Sequence, residues 1–297
     1  MKTTVTPGSV VVGVDGSPFS DAAVEWAAAY AAARHAPLTL VHAAGDLGGY
    51  LIPFRDEARH MVAPVARKML EHASEIARGT SSEVEFESLT CYEDPRQALL
   101  GVEDASMIVL GTRGHGPVAA LLLGSVSQAL VSHATCPVTV VRPAEDRDAG
   151  TRGNVVAGVD LDRGAREALE VAFEIASMSG RPLEVLHAST TLGSNADATA
   201  SEKWADDAGE AVRELAELLA GYSEKYPDVR VTTRMADDAP VASLVHASET
   251  AAHVVVGARD GHRGLRHFGS VGRTVVEHAH CPVTVVRPPA GGHQGRR

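Results

Sequence analysis

The chain has 297 residues, 44% of them hydrophobic, and a formal net charge of -11 from 27 Lys plus Arg against 38 Asp plus Glu. That length and apolar content suit about two globular domains, each with its own core. The acidic balance argues against a nucleic-acid or anionic-membrane binder, which presents a basic face, and no apolar run approaches the roughly 18 residues of a membrane span.

The opening MKTTVTPGSVVVGVDG lacks the sustained apolar stretch and cleavage pattern of a targeting segment. Cys91, Cys136 and Cys281 show no CxxC spacing, so a reduced, cytoplasmic setting without disulfides is the expectation. In chain order, VVVGV (10–14), LTLVHA (38–43), VEFESL (84–89), MIVLGT (107–112) and VTVVR (138–142) are short runs rich in β-branched residues and read as strands. Residues 18–33, 57–77, 95–104 and 121–133 space their apolar positions as helices do.

The same order then recurs. Asp15 falls on Asp160 and His42 on His187 at an offset of 145, Gly111 on Gly257 at 146, and Gly124-Ser125 on Gly269-Ser270 and Cys136-Pro137 on Cys281-Pro282 again at 145. A period near half the chain means tandem domains rather than a solenoid. They are expected at 1–145 and 152–290, joined through the polar, glycine-containing AEDRDAGTRG at 144–153. Strands fed by crossover helices build a mostly parallel sheet covered on both faces, so each half is predicted to be a doubly wound α/β domain.

Asp15 ends the first strand, on the side of an open α/β sheet where ligands collect. Ser17 before Pro18 is the better cap for the following helix, which leaves the Asp15 carboxylate for a ligand. Asp160 and Asp162 divide the same roles in the second half. After the fourth strand, GTRGHGPVAALLLGS (111–125) places glycines before a helix, where backbone N–H groups and the helix N-terminus favour phosphate. Arg113 offers charge there, and the hydroxyls of Ser125 and Ser127 are candidate donors.

Residues 111–125 carry Gly, two residues, Gly, nine residues, Gly-Ser; with VVVGVDGS at the start and CPVTVVRP at the end of each half, the chain resembles the universal stress protein family over nearly its whole length. The resemblance implies a five-stranded parallel sheet of order 3-2-1-4-5 in each half, with strands one and four adjacent at the crevice and Asp15 facing Gly111. It implies ATP, with or without Mg²⁺, as the cofactor. Adenine would lie against Gly13, Val14, Asp15 and Val41, and ribose and phosphates along Gly111, Arg113, Gly114, His115, Gly116, Gly124, Ser125, Val126 and Ser127. The second-half counterparts are Gly158, Val159, Asp160, Gly257, Arg259, Gly261, Gly269, Ser270 and Val271. It also implies an internal pseudo-dimer of the two halves, because the apolar last strands need covering, with homodimers of whole chains as a further step.

The second half departs from the motif. Asp260 replaces the second glycine, the interval to Gly269 is one residue short, Gly272 replaces the serine matching Ser127, and Leu161 replaces Gly16. A carboxylate beside a triphosphate repels it, whereas Gly261 and the nearby Arg259, Arg263 and Arg266 favour it, so a reshaped site and a silent one both stay open. His278, His280 and Cys281 cluster in HAHC, but the first half keeps only His133 and Cys136, short of a zinc ligand set, and no metal is expected. A nucleotide-binding stress or signalling protein is the leading reading, without a GxxxxGK[ST] loop or a poised catalytic base. The alternatives are an adenylating or ATP-pyrophosphatase enzyme, whose SGGxDS loop neither DGSPFS nor DLDRGA matches, and a nucleotide-free interaction module.

Overall fold

The computed structural model describes residues 3–45, 55–114, 123–143, 153–161, 165–188, 198–258 and 270–287. The chain divides into two compact units, Met1–Ala144 and Glu145–Arg297.

The first unit runs β1 (Val10–Gly13), α1 (Pro18–Ala33), β2 (Leu38–Ala43), α2 (Arg55–Thr80), β3 (Phe86–Cys91), α3 (Pro95–Leu100), β4 (Met107–Gly111), α4 (Ser125–His133) and β5 (Val138–Val141). All its strands pair in parallel, in the order β3-β2-β1-β4-β5. Val10, Val11 and Val12 of β1 are fully buried, as a central strand covered on both faces requires. Helix α1 starts as its sequence dictates: Ser17 Oγ accepts the Ser20 N–H at 3.2 Å, and Pro18 takes the first helical position. Its buried residues include Ala23, Ala27, Ala28 and Ala31, whose small side chains let it lie close on β1 and β4.

Several boundaries move from their sequence-based positions. Helix α3 stops at Leu100 rather than 104, because the chain start docks on the following turn: Thr3 N–H donates to Gly101 O at 2.9 Å and Gly8 N–H to Asp104 O at 2.7 Å. Strand β3 begins at Phe86 rather than Val84 and runs on through Thr90 and Cys91, since its register follows β2 from Leu38↔Phe86 to Ala43↔Cys91. Its half-exposed pattern hides that extent from a search for apolar runs. Helix α4 begins at Ser125, behind an extended Gly124.

The second unit contains β6 (Val155–Gly158), α5 (Ala165–Ser179), β7 (Leu183–Ala188), α6 (Ala198–Leu219), α7 (Tyr222–Lys225), β8 (Val231–Ala236), α8 (Pro240–Ser248), β9 (His253–Gly257), α9 (Ser270–His278) and β10 (Val283–Val286). Its parallel order, β8-β7-β6-β9-β10, repeats the 3-2-1-4-5 arrangement. Met107 lies opposite Val10 and His253 opposite Val155, so the two sheets keep one register despite the offset of 146. The added residue falls between Pro240, still 145 from Pro95, and His253; α8 and its exit turn absorb it. The short helix α7 stands, at the offset of 145, where the last turn of α2 stands in the first unit. It brings Tyr222 and Tyr226 onto Phe173, with ring centroids 4.5 and 5.4 Å away, and Tyr226 donates to Glu170 Oε1 at 3.0 Å.

Candidate nucleotide site

Strand β1 ends where its carbonyls and amides find new partners. Val14 N–H donates to Val41 O at 2.8 Å, and Val14 O accepts from the buried His42 Nδ1 at 2.7 Å. A carbonyl only accepts, so His42 carries its proton on Nδ1. This pins the backbone just before Asp15. The Asp15 carboxylate is not wholly free: Oδ1 accepts the Ser17 N–H at 3.0 Å, closing a turn of the kind aspartate favours. Its other oxygen, Oδ2, lies toward Gly114.

That proximity corrects the expected facing pair. A Cβ on Gly114 would overlap Asp15 Oδ2, while a Cβ on Gly111 would come within 2.6 Å of the Phe19 backbone. Gly111 thus lies under the start of α1, and Gly114 is the glycine that meets Asp15. Both positions exclude a side chain for steric reasons.

The glycine loop is clamped at its two ends. Gly124 N–H donates to Thr112 O at 2.7 Å, Ser127 Oγ donates to Gly111 O at 2.7 Å, and Thr112 N–H holds the strand through Val141 O at 3.0 Å. Thr112 and Gly124, on either side of the loop, are thereby held next to one another. His115 and Gly116 lie outside the described residues. Arg113 stacks on Phe19, its guanidinium carbon 5.6 Å from the ring centroid.

Helix α4 has nine residues and no side-chain cap on Gly124. Helix geometry leaves the N–H groups of Ser125, Val126 and Ser127 without intrahelical acceptors, and the helix dipole adds partial positive charge at the same end. Ser125 is exposed at this end. Ser127 is buried and its hydroxyl proton is committed to Gly111 O, so it is not the phosphate donor that its place in the sequence suggested. Uncapped backbone donors, an exposed hydroxyl and a Gly114 with no room for a side chain beside Asp15 are features that suit an anionic group at a helix start.

The second unit reproduces the strand end. Val159 N–H donates to Leu186 O at 3.0 Å, and His187 Nδ1 donates to Val159 O at 3.1 Å, placing Gly158, Val159 and Asp160 as their first-unit counterparts are placed. Gly257 closes β9, and Ala258 N–H meets Val286 O at 2.7 Å. Arg259, Gly261 and Gly269 lie outside the described residues; Ser270 and Val271 open α9. Gly272 is buried at the Ser127 position, and with no hydroxyl it gives Gly257 no comparable fastening.

Two buried features escaped the sequence. His253 Nε2 lies 2.7 Å from Thr284 Oγ1 in the sheet, and burial pushes its pKa down to about 3, so it is neutral at neutral pH. Its counterpart Met107 accepts from Thr139 Oγ1 at 3.1 Å. The pairing of His42 with Val14 O had a readable signal, a histidine ending the second strand of both halves. Burial pushes the Cys136 thiol up to about 11 and raises that of Cys91. Among the described residues no three His, Cys, Asp or Glu side chains gather to hold a metal ion, and no helix is long and apolar enough to cross a membrane.

The universal stress protein family model matches residues 8–142 and again 151–287. A universal stress protein of Mycobacterium tuberculosis (strain ATCC 25618 / H37Rv) is 36% identical over 298 residues, covering 94% of this chain and 96% of its own. Another, of Mycolicibacterium smegmatis, is 34% identical over 301 residues and is covered completely by 97% of this chain. The crystal structure of a universal stress protein from Archaeoglobus fulgidus DSM 4304 shares the fold at a TM-score of 0.61 and 19% identity, over 95% of this chain and 99% of that one. With the family's domain matched once in each half, the chain belongs to the universal stress protein family as a tandem member.

Proposed function

We propose that this protein binds an adenine nucleotide, ATP foremost and with or without Mg²⁺, in the crevice of the first unit. Occupancy then changes the shape or the partners of the chain in a stress or signalling response. The observation that carries the reading is the uncapped start of α4 beside a loop whose Gly114 leaves no room for a side chain against Asp15. Gly13, Val14, Asp15 and Val41 would contact the base and ribose. Arg113, Gly114 and the amides of Ser125 and Val126 would face the phosphates, with His115 and Gly116 completing the loop.

This is a binding protein in the reading, not a catalyst. Among the described residues the Asp15 carboxylate is already engaged with the Ser17 N–H and no three His, Cys, Asp or Glu side chains gather to hold a metal, whereas transfer of a phosphoryl group requires a metal-binding set and a positioned nucleophile. The domains are taken as 1–145 and 152–290, acting in the cytoplasm. Their VTVV strands, β5 and β10, are apolar and would cover one another in an internal pseudo-dimer. The reading is tested by extracting nucleotide from the purified chain and separating it by anion exchange. Adenine nucleotide is expected from the wild type and less from Gly114→Glu; equal recovery from both removes the loop from the site.

A further inference from the structure

Resting on that reading, we propose that Ser127 is a positioning residue for first-unit nucleotide binding, acting through the carbonyl of Gly111 and touching no phosphate itself. Gly111 is pressed from one side by the Phe19 backbone, where a Cβ would come within 2.6 Å. From the other side it receives the Ser127 hydroxyl at 2.7 Å, in a place where water is excluded. A buried carbonyl stripped of its donor costs more than the bond contributes when made, so the first turn of α4 is held to the end of β4 rather than free to lift. The neighbouring Gly124 N–H to Thr112 O bond, also 2.7 Å, rests on the same alignment.

What this fixes is the spacing between the two halves of the cradle. The loop residues Arg113 and Gly114 leave from β4, and the amides of Ser125 and Val126 belong to α4. A phosphate chain spanning them needs both at one separation before it arrives, because ordering them at the moment of binding weakens affinity. The second unit is a control inside the same chain. Gly272 stands at this position, and Gly257 receives no hydroxyl from it. The two sites are therefore unequal at a residue that does not meet the ligand.

The test compares Ser127→Ala and Ser127→Thr with the wild-type full chain by ATP titration, and by amide hydrogen exchange without nucleotide. Expected for Ser127→Ala are a roughly tenfold loss of first-unit affinity and faster exchange at Gly124, with exchange in the second unit unchanged; Ser127→Thr, which keeps the hydroxyl, restores both. If Ser127→Ala does not fold, Ser127→Cys, a weaker donor at the same point, must shift both readouts in the same direction. Wild-type affinity in a folded Ser127→Ala or Ser127→Cys overturns the positioning role. So does weakening by all of these variants alike without a change at Gly124. Absence of ATP binding by the wild type overturns the nucleotide reading itself, a result these variants cannot mimic.

Discussion

Gly114 approaches Asp15 so closely that a methyl group on it would overlap the carboxylate oxygen Oδ2. The contact joins the end of the first strand to the start of the glycine loop. Gly114→Ala must displace Asp15 or the loop, and Gly114→Glu adds negative charge where phosphates would lie. Isothermal titration should show at least a tenfold loss of ATP affinity for the alanine variant and no detectable first-unit binding for the glutamate variant. Unchanged affinity in either folded variant contradicts the placement of the loop.

His253 makes the second unit sensitive to acid. Its folded pKa is near 3, against an ordinary value of 6.5, because burial disfavours the imidazolium. Between those values the unfolded chain binds the extra proton. The contribution is therefore complete above about pH 6.5 and is lost as pH falls toward 3, at about 1.4 kcal/mol per pH unit. His253→Met supplies the residue found at the matching position of the first unit, where Met107 sulfur accepts from Thr139. Urea unfolding at pH 7.5 and 5.5 should show a smaller acid loss in the variant than in the wild type. An identical loss would mean that other groups set the acid limb.

Asp94 caps α3. It accepts the Arg96 N–H at 2.9 Å and pairs with the Arg96 guanidinium at 2.8 Å. The hydrogen bond from the Arg96 side chain leads in holding its pKa down at about 2. Its contribution is present above the ordinary carboxylate range and disappears as pH falls toward 2. Asp94→Ala should cost about 1 kcal/mol at pH 7, read from the urea midpoint, with little effect on nucleotide affinity.

Cys136 should resist alkylation. Desolvation holds its thiol near a pKa of 11, so thiolate is scarce at pH 8. Iodoacetamide followed by mass spectrometry should leave Cys136 unmodified in the folded chain and label it fully in denaturant. Rapid labelling of the native protein would show that this end of β5 opens readily.

Much of the fold was legible because the buried strands announce themselves: VVVGV, MIVLGT and VTVVR are continuous apolar runs of the kind a doubly covered parallel sheet requires. β3 was misplaced by two residues because only its register with β2, not its own half-exposed composition, defines its ends. The end of α3 was invisible for a related reason, since docking of Thr3 and Gly8 competes with further helix. At the site, the glycine spacing pointed to the loop and the Ser17 cap was readable from Ser-Pro. The job of Ser127 was not: a hydroxyl at a helix start looks alike in sequence whether it faces a phosphate or turns inward to a carbonyl, and only burial tells the two apart.

The most direct test of the central claim is the number of ATP molecules bound per chain, measured by titration calorimetry with Mg²⁺ on the wild type and on Gly114→Glu. The account predicts binding by the wild type and the loss of one site in the variant. No heat of binding from a folded, nucleotide-free wild type, or the same stoichiometry and affinity in both proteins, would contradict it.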